Sequence, residues 1–109
     1  MNRPALPDPI DAFVEAVNRG DTQAFLAFFP EHGIVDDSGR RFIGHNAIRG
    51  WSDQEFIGAK GKMSVTSAKR NGNEVRTRAE WISNFYTGPA LFVFVLDGEH
   101  VRELRITGE

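Results

Sequence analysis

Met63-Ser64-Val65-Thr66-Ser67-Ala68-Lys69-Arg70-Asn71-Gly72-Asn73-Glu74-Val75-Arg76-Thr77-Arg78-Ala79-Glu80-Trp81 decides the fold. Met63, Val65 and Ser67 alternate with polar partners, and Asn71-Gly72 is a strong two-residue hairpin signal. Beyond the turn, Val75, Thr77, Ala79, Trp81, Ser83 and Phe85 form one face of a long strand. Glu74, Arg76, Arg78, Glu80, Ile82, Asn84 and Tyr86 form the other. Gly88-Pro89 breaks the pattern, and residues 91–96 are apolar on both faces, as a central strand covered on both sides should be. Asp97-Gly98 then turns the chain into a last strand over 101–107.

Upstream the period is helical. Pro4, Pro7 and Pro9 keep residues 1–8 an extended tail, and Asp8-Pro9 is a good helix start. Ile10, Phe13, Val14 and Val17 recur at helical spacing until Gly20. Asp21 caps a second helix bearing Phe25, Leu26, Phe28 and Phe29 up to Pro30. Residues 32–36 and 41–43 read as two short strands around a turn at Asp37, Ser38 and Gly39. Asn46 caps a third helix, in which Ile48, Trp51, Ser52, Glu55 and Phe56 share neighbouring faces. Helices first and a meander last predict an α+β fold: a curved antiparallel sheet with three helices on its concave face. No strand–helix–strand unit repeats, which argues against a Rossmann arrangement.

The 109 residues fit one domain spanning 1–109, large enough to bury about two thirds of its surface without a metal or disulfide. There is no cysteine, which removes thiol nucleophiles, iron–sulfur clusters and zinc–thiolate sites. His32, His45 and His100 are isolated from any carboxylate cluster, so no metal site and no cofactor are expected. Fifteen acids against thirteen bases leave no broad footprint for nucleic acid. The basic residues near the hairpin, among them Lys69, Arg70, Arg76 and Arg78, read as a solvated edge. The apolar runs are too short for a bilayer and the first residues do not read as a signal peptide, so a soluble cytoplasmic protein is expected. Nine Phe, two Trp and one Tyr supply either a filled aromatic core or an aromatic-lined cavity.

Three stretches resemble one known family. They are residues 13–21 with the Asn-x-Gly-Asp corner at Asn18 to Asp21, Phe28-Phe29 with 34–37, and 41–51 from Arg41 through Gly44 to Trp51. Together they resemble the cone-shaped superfamily of nuclear transport factor 2, ketosteroid isomerase and the SnoaL-like polyketide cyclases. The likeness runs over nearly the whole chain and implies the cone fold and a homodimer. It also implies a small hydrophobic or aromatic ligand, and a base aspartate at the position of Asp37. Two readings of Asp37 stay open: a general base at a pocket mouth, or a turn cap made by it or by Asp36. The tyrosine of the isomerases falls at Phe13 and their protonated aspartate near Leu91 or Phe92, where no side chain donates a proton. True ketosteroid isomerase chemistry is thereby excluded. Polyketide-cyclase-like or other isomerase-like proton transfer, and a non-catalytic binding or interaction domain, remain.

Phe13, Phe25, Trp51 and Trp81 are expected in one pocket or core cluster beneath the third helix. Each tryptophan offers a flat apolar surface and one indole donor. Some epoxide hydrolases of the superfamily hold an arginine between acids; Arg76, Arg78, Glu80 and Asn84 are either such a set or a cross-strand ion-pair row. The homodimer has an argument of its own, because a central strand apolar on both faces needs cover on the side away from the helices.

Overall fold

Residues 6–108 are described by a computed structural model. The helical spacing around Phe13 becomes α1 (Asp8–Asn18), with Pro7 before it and Pro9 in its first turn. The helix thus takes in Asp8, the last residue of the expected tail; residues 1–5 of that tail lie outside the described residues. Gly20, at φ 74°, makes the corner, and Asp21 caps α2 (Thr22–Ala27) by accepting the Ala24 amide at 3.0 Å. Next come β1 (Ile34–Asp37), β2 (Arg40–Ile43) and α3 (His45–Glu55), which starts after Gly44 rather than at Asn46. The meander is β3 (Lys62–Asn71), β4 (Glu74–Ile82), β5 (Gly88–Asp97) and β6 (His100–Gly108).

The six strands make one curled, unclosed sheet in the order β2-β1-β6-β5-β4-β3, with the three helices on its inner side. Four neighbouring pairs are antiparallel, but β1 and β6 run parallel. This corrects the expected all-antiparallel sheet. The short hairpin joins the meander through β1, whose direction matches β6, and the Ser38 amide extends the contact to the Ile106 carbonyl at 2.9 Å. Such a pairing links residues some seventy positions apart, beyond the reach of local periodicity.

Val75, Thr77, Ala79 and Trp81 face inward and Arg76, Arg78, Glu80 and Ile82 outward, as the alternation predicts. Beyond Ile82 the alternation fails. Ser83 fastens a tight loop instead: its hydroxyl accepts the Phe85 and Tyr86 amides and donates to the Tyr86 carbonyl. Asn84 and Tyr86 are therefore not on the strand's outer face: the long strand ends at Ile82, before Gly88-Pro89, and Gly88 begins β5.

Phe13 is the hub of the core. Its ring lies 5.2–6.0 Å from those of Phe25, Phe28, Phe29 and Phe94, mostly edge to face. The Asn18 side chain joins α1 to the sheet edge, donating to the Met63 carbonyl at 2.9 Å and accepting the Met63 amide at 2.7 Å. No described helix is long and apolar enough to cross a membrane.

Candidate functional site

Adjacent rows of the inner sheet face differ sharply in bulk. Thr77, Phe92, Ile106 and Asp37 stand opposite one another across β4, β5, β6 and β1. The next row is Ala79, Ala90 and Gly108, followed by Trp81 opposite Gly88. Small residues flanked by large ones leave space, and a cavity of about 300 Å³ opens there, at the lower end of the range for ligand sites. Phe92, Ala90, Trp81, Phe56 and Trp51 line its interior, and Phe85 and Tyr86 belong to its exposed rim.

One wall is a pile of rings. Trp51 stacks on Phe56 at 4.7 Å and Phe56 on Trp81 at 4.5 Å, with the latter planes only 11° apart. Phe42 also stacks on Trp51, at 6.0 Å. Gly61 permits this packing, because a Cβ there would come within 2.1 Å of the Trp81 ring. Tyr86 crosses the ends of β5 and β6. A Cβ on Gly88 would meet its hydroxyl at 2.7 Å, and that hydroxyl donates to the Pro89 carbonyl.

Asp37, Arg40 and Glu55 form the polar mouth. Ser38 and Gly39, at φ 53° and 95°, are a two-residue turn that sets Asp37 opposite Arg40. Arg40 Nη2 donates to Asp37 Oδ2 at 2.6 Å and to Glu55 Oε1 at 2.5 Å; Nη1 donates to Glu55 Oε2 at 3.0 Å. The guanidinium carbon lies 5.7 Å from the centre of the Phe42 ring. The bidentate bond to Glu55, followed by the pairing with Asp37, holds Arg40 above its ordinary pKa against desolvation. The same Arg40 bond holds the Glu55 carboxyl below its usual range, outweighing burial. Trp51 Nε1 donates to Asp37 Oδ2 at 3.0 Å. The indole donor that the sequence offers to a ligand is therefore committed to the aspartate.

The cavity brings together Asp37, Trp51 and Trp81 but not Phe13 or Phe25, which are fully buried in the adjoining core. Their faces point into the packed centre under α1 and α2, where Phe94 and Phe29 fill the space. Asp36 is the turn cap, accepting the Gly39 amide at 2.8 Å. At the cavity an arginine does lie between two acids, but it is Arg40. Arg76 and Arg78 lie on the outer face with Ser67 and Lys69, around a second pocket of about 270 Å³. Sequence reading missed Arg40 and the ring of Phe56. The available signals were the two-residue turn, which makes Asp37 and Arg40 direct neighbours, and the i,i+4 spacing of Trp51 and Glu55.

No protein-family model matches the sequence, and no curated protein does. Solved structures do match in three dimensions. A candidate polyketide cyclase from Sinorhizobium meliloti is 22% identical, with a TM-score of 0.82 over 94% of this chain and 95% of that one. A Catenulispora acidiphila protein of ketosteroid isomerase-like fold, in complex with trimethylamine, is 19% identical, with a TM-score of 0.81 over 94% and 86%. A computationally designed 17-OHP binder is 11% identical, with a TM-score of 0.79 over 94% and 90%. With the sheet order and the helices on its inner face, these similarities show that the chain has the cone-shaped α+β fold of the nuclear transport factor 2, ketosteroid isomerase and polyketide cyclase superfamily.

Proposed function

We propose that this chain binds a small, largely apolar molecule in the cavity beside the Trp51–Phe56–Trp81 stack. The observation that carries the reading is the juxtaposition of that aromatic wall with the small residues Ala90 and Gly108. A cavity bounded by apolar rings on the inside and by one charged cluster at the mouth orients a molecule with one polar end. Two structural neighbours accompany the reading with small organic molecules of their own, trimethylamine and 17-OHP.

A second reading keeps Asp37 as a general base. It is favoured by Asp37 Oδ1, which makes no hydrogen bond among the described residues, both bonds falling on Oδ2. Against it, the resemblance places the isomerases' enolate donors at Phe13 and near Leu91 or Phe92, where no side chain donates a proton, and Phe13 and Phe92 are fully buried phenyl rings. Binding is thus the function the geometry supports best, and proton transfer is an addition to it.

Both tryptophans of the chain line the cavity, so their two indole N–H resonances report its contents. Titration with 2-naphthol should shift both signals saturably. Indole signals unmoved up to the solubility limit of the naphthol would remove the binding reading. Should a cyclic ketone prove to be turned over, Asp37→Asn is expected to lower turnover by roughly 10²–10⁴-fold. Unchanged turnover would reject Asp37 as the base.

A further inference from the structure

We infer that the cavity mouth selects an ammonium group, so that the ligand is a small apolar amine bound as its cation with an N–H on Asp37 Oδ1. The inference rests on the proposed reading of the cavity as a ligand site. Asp37, Arg40 and Glu55 are the charged residues among the described lining, and two carboxylates against one guanidinium leave the mouth with a net charge of about −1. Arg40 has three of its five N–H groups committed to these carboxylates, which leaves less of it to an incoming anion.

The carboxylates differ in what they have left to give. Each oxygen of Glu55 accepts from Arg40, whereas Asp37 takes its two bonds on Oδ2 alone. Those bonds hold Oδ2 and leave Oδ1 as an acceptor without a hydrogen bond among the described residues. An acceptor-only group cannot satisfy a ligand carbonyl, and it repels a ligand carboxylate. A hydroxyl would satisfy it, but a cation gains the unbalanced charge as well. The Asp37 and Glu55 side chains are only 20% and 15% exposed, so that charge is less screened than on an open surface. Phe85 and Tyr86 add aromatic surface at the rim, which favours the alkyl part of an ammonium ion over a bare inorganic cation.

Benzylamine, benzyl alcohol and benzoate share one ring and one size but carry charges of about +1, 0 and −1 at pH 7. Each is titrated into the full chain while the two indole N–H signals are followed. Benzylammonium should bind at least about tenfold more tightly than the alcohol, with benzoate weaker still, and 0.5 M NaCl should narrow the gap. Asp37→Asn should reduce the amine to the affinity of the alcohol. Glu55→Gln, which keeps the Asp37 acceptor, should lose part of the preference. Alcohol as tight as amine, or benzoate tighter, would overturn the ammonium assignment while leaving a binding cavity. Silence of the indole signals with all three probes would instead sink the cavity reading and the assignment together. The ranking on the unmodified chain decides the matter even if a variant fails to fold.

Discussion

Asp36 and Asp37 have the same chemistry and adjacent positions, yet the pleat sends them to opposite faces. Asp36 pairs across the sheet with Arg105 and caps the turn, while Asp37 shares its row with Ile106 and enters the cavity mouth. Parity alone separates a structural carboxylate from a candidate functional one, and it becomes decisive only when the register is known. Trp81 shows the same dependence on placement. Its ring is nearly buried between Phe56 and Gly61, so Trp81→Ala should cost about 3–5 kcal/mol in chemical denaturation as well as weakening ligand binding. A cost below about 1 kcal/mol would mean that the stack is not part of the core. Glu55 gives a pH signature. Its folded-state pKa is depressed, so the unfolded chain binds the proton more readily and stability rises with pH through this group. The contribution is complete above the ordinary glutamate value of about 4.3 and is lost as pH falls through the lower folded value. Urea midpoints between pH 3 and 6 should therefore fall less steeply toward acid in Glu55→Gln than in the unmodified chain.

At the scale of elements, the Arg40 clamp ties the β1–β2 hairpin to the end of α3, and Asn18 ties the end of α1 to the edge strand β3. Asn18→Ala removes two hydrogen bonds to one backbone residue and should destabilise by about 1–3 kcal/mol, read from thermal or urea unfolding. The small row of the sheet offers the complementary test. Ala90→Leu places extra carbon in the cavity and should abolish the naphthol-induced indole shifts with stability held or raised by about 1 kcal/mol. Retained binding in that variant would place the ligand elsewhere. The elements themselves were legible because their signals are local: helical spacing around Phe13, alternation from Val75 to Trp81, and Asn71-Gly72 between strands. The loop after Ile82 was not, because the Ser83 side chain overrides a continuing polar–apolar alternation. That single misreading hid Tyr86 and half of the cavity rim. Phe13 and Phe25 share one core cluster with Trp51 and Trp81 without lining the cavity, because apolar periodicity marks the inward side of a helix, not whether packed rings or open space lie beneath it.

For the whole molecule, the outer face of the sheet departs from the open apolar surface that the pattern of residues 91–96 suggests. Val93 and Val95 point outward but are only 5% and 7% exposed, among the long side chains of the neighbouring strands. Those side chains form two rows. Glu74 and Glu103 flank Val95, and Arg76 and Arg105 flank Val93. Within one chain the rows already pair, Arg105 with Glu103 at 3.0 Å and Arg76 with Glu74 at 3.5 Å. A homodimer through this face therefore depends on matching charge rather than on covering bare hydrocarbon. A two-fold axis crossing the strands between the rows lays each glutamate row over the arginine row of the second copy. An axis along β5 opposes like charges, Arg76 to the second copy's Arg105 and Glu74 to its Glu103. The first arrangement is the one this surface can support. Sedimentation at tens of micromolar is expected to show a dimer at 50 mM salt that shifts toward monomer at 0.5 M, since half-exposed ion pairs are screened within a few ångströms at high salt. Glu74→Lys with Glu103→Lys should give a monomer at both. A monomer in the unmodified chain at low salt removes the homodimer, and a dimer indifferent to salt and to both substitutions moves its interface off this face.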